Sequence, residues 1–131
     1  MSKYILLSLF CLLALACKKD YPVDEDGLLI TTREDCYVSN FEMRGADFVS
    51  VLTKQAVVDT ASKTVNITVQ FGTDLKNVYP QFSLATDCKL EPKITGLTDF
   101  SDLANPREYT VVSGNRQIRN NYKVLITVQP R

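Results

Sequence analysis

A period of two dominates this chain. Val65, Ile67, Val69 and Phe71 alternate with Thr64, Asn66, Thr68 and Gln70. Successive side chains of a strand point to opposite faces, so this pattern places one face in a core and the other in water. Tyr122, Val124, Ile126 and Val128 repeat it against Lys123, Thr127 and Gln129, with Leu125 breaking the polar face. Glu108 to Val112 precedes that strand across a stretch in which Ser113, Gly114 and Asn115 supply turn chemistry. Phe41 with Met43 marks an early strand, Phe82 with Leu84 another, and Cys88 to Leu90 a short third. Pro80 donates no hydrogen bond and belongs at a strand's start or edge. Turn-forming clusters separate the runs at Arg44 to Asp47, Asp59 to Ser62, Gly72 to Asp74 and Asn105-Pro106. No helical apolar period persists beyond two turns. About seven short strands with frequent turns predict an all-β chain, an antiparallel β-sandwich. A small β-barrel and an α+β fold are the alternatives.

The N-terminus follows other rules. Tyr4 to Ala16 is apolar, and a helix of that length covers roughly 20 Å against a hydrocarbon core of about 30 Å. A charged start, a short apolar middle and small residues at the end describe a secretory signal more closely than a membrane span. Ala14-Leu15-Ala16-Cys17 resembles the lipobox of bacterial lipoproteins, although that family favours Leu, Val or Ile where Ala14 stands. The resemblance implies a signal peptide, residues 1–16, removed before Cys17, which becomes the lipid attachment site. Acyl chains on Cys17 exceed the two-signal requirement for stable anchoring, so the membrane becomes a partner through the anchor. An ordinary signal followed by a chance cysteine is the competing reading.

Residues 17–33 read as a lipidated N-terminus and polar tether, and 34–131 as a single folded domain. The tether clusters Asp20, Asp24, Glu25 and Asp26 without the alternating spacing or closing Glu of a calcium loop. In lipoproteins of the polysaccharide-utilisation type, acids after the lipidated cysteine direct surface export. That resemblance implies an outer-membrane, surface-exposed location, with a periplasm-facing one as the alternative. The whole chain carries 15 basic and 15 acidic side chains. Such balance gives no electrostatic footprint for nucleic acid.

With Cys11 in the signal and Cys17 acylated, Cys36 and Cys88 remain as a candidate disulfide in an oxidising compartment. Metal binding is not expected, because the chain has no histidine and these two cysteines lack C-x-x-C spacing. Catalysis and cofactors are not expected either. Without histidine a Ser-His-Asp arrangement cannot form, and no Gly-rich phosphate loop is present. Asp99, Asp102 and Glu108 could supply a carboxylate pair, but acids in such loops are ordinarily turn formers.

The segments VSNFEM, KTVNITVQF, TDLKNVYPQFSLATDCKLEP and TDFSDLANPREYTVVSGNRQIRNNYKVLITVQ together resemble immunoglobulin- or cadherin-like modules of Gram-negative surface lipoproteins. The likeness covers about residues 36 to 129 and implies an immunoglobulin-like sandwich. It also implies a binding or accessory module of a surface assembly, with glycan or a surface protein as partner. A structural spacer or subunit with no small-molecule ligand is the alternative. Sugar recognition calls for exposed aromatic rings, and the chain has no tryptophan. Tyr37 and Tyr79 are the candidate platforms, with edge packing as their other reading, while Tyr109 and Tyr122 fall on the core pattern. Asp59-Thr60-Ala61 resembles the short O-glycosylation motif of such bacteria, which makes Thr60 a candidate modification site in a turn.

Overall fold

The computed structural model describes residues 22–131; the signal segment and Cys17 lie outside the described residues. The chain divides into one unit ending at Ile30 and a second spanning Thr31–Arg131. Within the expected tether, Pro22 to Ile30 is a tight turn. The Asp24 carboxylate accepts from the backbone N–H groups of Asp26 and Leu28, and Ile30 N–H donates to Pro22 O at 2.8 Å. Gly27 holds φ at 77°, a backbone conformation that costs glycine little.

The second unit contains β1 (Val38–Gly45), β2 (Val57–Asp59), β3 (Thr64–Val69), β4 (Val78–Leu84), β5 (Lys89–Glu91), β6 (Glu108–Val112) and β7 (Arg119–Val128). Strands β1 and β4 form one sheet, and β2-β3-β7-β6-β5 form the other. The unit is therefore an all-β sandwich of two sheets, as the period of two predicts. Among the described residues no helix is long and apolar enough to cross a membrane.

One pairing departs from the antiparallel expectation: β3 runs parallel to β7, with Val65 opposite Val124 and Ile67 opposite Ile126. Both strands alternate with the same period, so their side chains fit either direction. The path of the chain decides, because β3 and β7 are joined only after it has passed through β4 in the other sheet. The core lies between the sheets. Phe41, Met43 and Val78 come from the small sheet, and Val65, Val69, Tyr109, Val111, Tyr122 and Val124 from the large one. A register shift between Val38 and Asn40 turns both Val38 and Phe41 inward across an odd spacing. Aromatic rings bridge the layers: Phe41 meets Phe82 edge-on at 4.8 Å, and Phe82 meets Tyr109 at 4.9 Å.

Tyr109 and Tyr122 are buried, as their alternation required. Phe71 is not. β3 ends at Val69, Gly72 turns the chain at φ 82°, and Phe71 is left exposed under the Arg131 guanidinium. The expected disulfide is also not formed. Cys36 and Cys88 both carry free thiols.

Candidate functional site

The alternation that buries Phe41 and Met43 aims Asn40, Glu42 and Arg44 outward from β1, and Tyr79, Gln81 and Ser83 outward from β4. Beyond β1 the chain turns back in a three-residue hairpin. Gly45 N–H donates to Val49 O and Phe48 N–H donates to Gly45 O, both at 2.9 Å, and the Asp47 carboxylate accepts from Val49 N–H at 3.1 Å. The last loop residue of such a hairpin adopts the left-handed conformation, where glycine is the usual occupant. Here it is Phe48, at φ 63°. For a side chain with a Cβ that conformation costs about 1–2 kcal/mol.

The hairpin sets the Phe48 ring against Tyr79. Their centroids are 4.9 Å apart and their planes 11° from parallel. Phe48 stays 63% exposed, so one face of its ring is covered and the other meets water. Tyr79 stands opposite Arg44 in the β1–β4 register, and Arg44 bridges on its other side to Ser50. Along the same face the Glu42 carboxylate accepts from Ser50 Oγ at 2.7 Å. A shallow groove of about 370 Å³ continues from there, with Asn40, Glu42, Ser50 and Gln55 on its polar side and Phe41 and Leu52 on its apolar side. A stiff aromatic pair thus stands at one end of a polar sheet face.

Of the two tyrosines singled out in the sequence, Tyr79 belongs to this face. Tyr37 is exposed as well, but it precedes β1 at the opposite end, where its carbonyl accepts from Ala85 N–H. Seven residues of strand separate Tyr37 from the rung of Tyr79, roughly 20 Å, so the two rings make no common platform. Phe48 was missed. The only signal available was a large aromatic inside a Gly-Ala-Asp turn, where nothing in a core pattern requires one.

The acids of the Asp99 to Arg107 loop stabilise their own turns. Asp99 accepts from Ser101 Oγ at 2.6 Å and Ser101 N–H at 2.8 Å, and these bonds hold its carboxyl below the usual range. A proton donor in catalysis needs the opposite shift. Asp102 accepts from Asn105 Nδ2 at 3.0 Å, and Glu108 pairs with Lys123 at 3.7 Å. Above this loop a cavity of about 260 Å³ has Phe100, Leu103, Val124 and Ile126 among its lining residues. Arg107 lies over the Phe100 ring at 5.6 Å and donates to Asp99 O.

Thr60 is exposed in the turn between β2 and β3, where Asp59 Oδ1 accepts from Ala61 N–H and Ser62 N–H. Cys36 Sγ–H donates to Val111 O at 3.2 Å, and Cys88 Sγ–H donates to Asp35 O at 3.0 Å. Burial pushes both thiols above their ordinary range.

The profile of the family described as SGBP, N-terminal, matches residues 47–126, more than half of the chain. This chain belongs to the SGBP N-terminal family. The family match starts at Asp47 and so takes in both Phe48 and Tyr79. No curated protein matches the chain. Among solved structures it is similar to a candidate glycoside hydrolase from Bacteroides thetaiotaomicron, at 21% identity and a TM-score of 0.58. That match covers 77% of this chain and 28% of the other, so the chain spans little more than a quarter of that protein's length. A candidate secreted protein of Bacteroides fragilis matches at 10% identity and a TM-score of 0.53, over 74% of this chain and 98% of its own. A DUF4623 family protein from Bacteroides eggerthii matches at 14% identity and a TM-score of 0.54, over 74% and 22%. At these identities the likenesses establish the fold of the SGBP N-terminal domain alone.

Proposed function

We propose that this SGBP N-terminal domain is the extracytoplasmic, lipid-anchored accessory module of a cell-surface assembly that handles glycan. The observation carrying the reading is the family match, since SGBP denotes glycan-binding proteins and the matched residues span both sheets of the sandwich. The immunoglobulin-like sandwich serves as scaffold, Cys17 holds the lipid, and the outward face of β1 and β4 is available to a partner. The module has no hydrolytic activity of its own. The secreted description of the Bacteroides fragilis neighbour agrees with an exported location.

Two measurements test this. Wild-type chain is expected to be retarded in native gels containing at least one soluble polysaccharide, with no release of reducing ends; free migration through every gel defeats the glycan reading. Cys17→Ser is expected to move the protein from the membrane to the soluble fraction and to remove the acyl mass. A variant that stays membrane-bound at unchanged acyl mass defeats the anchor. A spacer role is the second reading. It is favoured by the small share, 28%, that this fold occupies in the Bacteroides thetaiotaomicron protein.

A further inference from the structure

We propose, on the reading that this chain meets glycan, that Phe48 and Tyr79 form a sugar-binding subsite that takes the apolar face of a neutral pyranose ring. Burial does not account for Phe48. The ring is 63% exposed, and it is held there by a backbone at φ 63° that glycine would adopt without strain. Backbone strain kept at an exposed aromatic residue is a feature of ligand-binding positions. Tyr79 backs the ring at 4.9 Å and 11°, so Phe48 is already ordered before a ligand arrives and loses little freedom on binding.

The surroundings select the chemistry. A pyranose ring presents C–H groups on its faces and hydroxyls around its rim. The open face of Phe48 suits the former. Arg44, which shares the rung of Tyr79, and Gln81, two residues along β4 on the same face, offer donors and acceptors to the latter. Charge on this side is balanced, with Arg44 and Lys54 against Glu42 and Asp47, and Glu42 and Asp47 already accept hydrogen bonds within the domain. No net field therefore draws a uronate or sulfated sugar. The groove from Asn40 to Gln55 leaves room beside the platform for adjoining units of the same chain.

The test uses the full chain and its variants in native gels containing soluble starch, a cereal β-glucan, a galactomannan or polygalacturonate. At least one neutral polysaccharide is expected to bind. Phe48→Ala and Tyr79→Ala should each weaken that binding about tenfold or more, a loss of about 1.4 kcal/mol. Phe48→Tyr should retain it, and Tyr37→Ala, at the far end of the sheet, should leave it unchanged. Phe48→Gly separates binding from folding. It removes the ring and the backbone strain together, so the thermal midpoint should stay within about 5 °C of wild type while binding falls as far as in Phe48→Ala. Binding of a neutral polysaccharide that survives both alanine variants overturns the subsite and leaves the glycan reading standing. Retention by polygalacturonate alone overturns the neutral-sugar assignment. Retention by none of the four overturns the subsite and the glycan reading together.

Discussion

The thiol of Cys88 donates to the carbonyl of Asp35 at 3.0 Å, which places the second cysteine of the folded unit beside the residue that precedes the first. About fifty residues of chain separate the two cysteines in sequence, yet the entry to β5 and the segment leading into β1 bring Cys88 to the residue before Cys36. Oxidised glutathione is expected to close a Cys36–Cys88 bond by thiol–disulfide exchange, each chain losing two hydrogens and releasing two reduced glutathiones. A loop of that length is worth roughly 4 kcal/mol in the chain-entropy model. Mass spectrometry of the non-reduced protein, with denaturation midpoints of both forms, checks this; a chain left with two alkylatable thiols contradicts it.

Desolvated thiols and phenols set an alkaline limit. Desolvation raises Cys36 and Cys88 above the thiol reference of 9.0, and Tyr109 and Tyr122 above the phenol reference of 10.0. The folded state therefore binds these protons more tightly than the unfolded state does. Stability from this source is complete below pH 9 and declines as pH rises past the unfolded values toward the folded ones. Urea midpoints taken from pH 7 to pH 11 should stay level and then fall. In the reduced protein Cys36→Val with Cys88→Val should delay the onset to the tyrosine range, and an unchanged onset would show that the thiols are not involved.

Gly114 is a position where a methyl group has no room. A Cβ there would lie 2.4 Å from Thr31 Oγ1, 3.0 Å from Asp87 Cβ and 3.2 Å from Arg33 Cβ. The threonine hydroxyl can rotate away, but the two Cβ atoms move only with their backbone. Thr31 N–H donates to Gly114 O and Asn115 N–H donates to Arg33 O, both at 2.9 Å, so the clash falls where the leading segment docks. Gly114→Ala should cost about 1–3 kcal/mol, with faster hydrogen exchange at Thr31 and Asn115 than at β7.

Phe41 is 2% exposed, and its ring meets Phe82, which in turn meets Tyr109 across the sandwich. Phe41→Ala removes the fully buried end of that column and should cost about 3–5 kcal/mol, lowering the thermal midpoint by roughly 15–30 °C. Phe71→Ala, which removes an exposed ring, should shift the midpoint by only a few degrees. Similar losses from the two variants would mean that the core was misplaced.

These contrasts mark how far local pattern carries. Alternation at Val65, Ile67 and Val69, and at Tyr122 and Val124, determined that the chain is all-β and which residues enter the core. Strand geometry converts a period of two directly into an inner and an outer face. The turn residues at Asp59, Gly72 and Ser113 determined where strands end, because their hydrogen bonds and backbone angles are local. The pattern could not say where β3 finds its partner. A strand's edges look alike from either direction, and the parallel Val65–Val124 rung depends on the route of the intervening chain. Nor could it place Cys88 beside Cys36, or reveal that a phenylalanine in a Gly-Ala-Asp turn lies flat on Tyr79. That last contact joins a hairpin tip to the neighbouring strand, and only the register of β1 on β4 brings the two rings together.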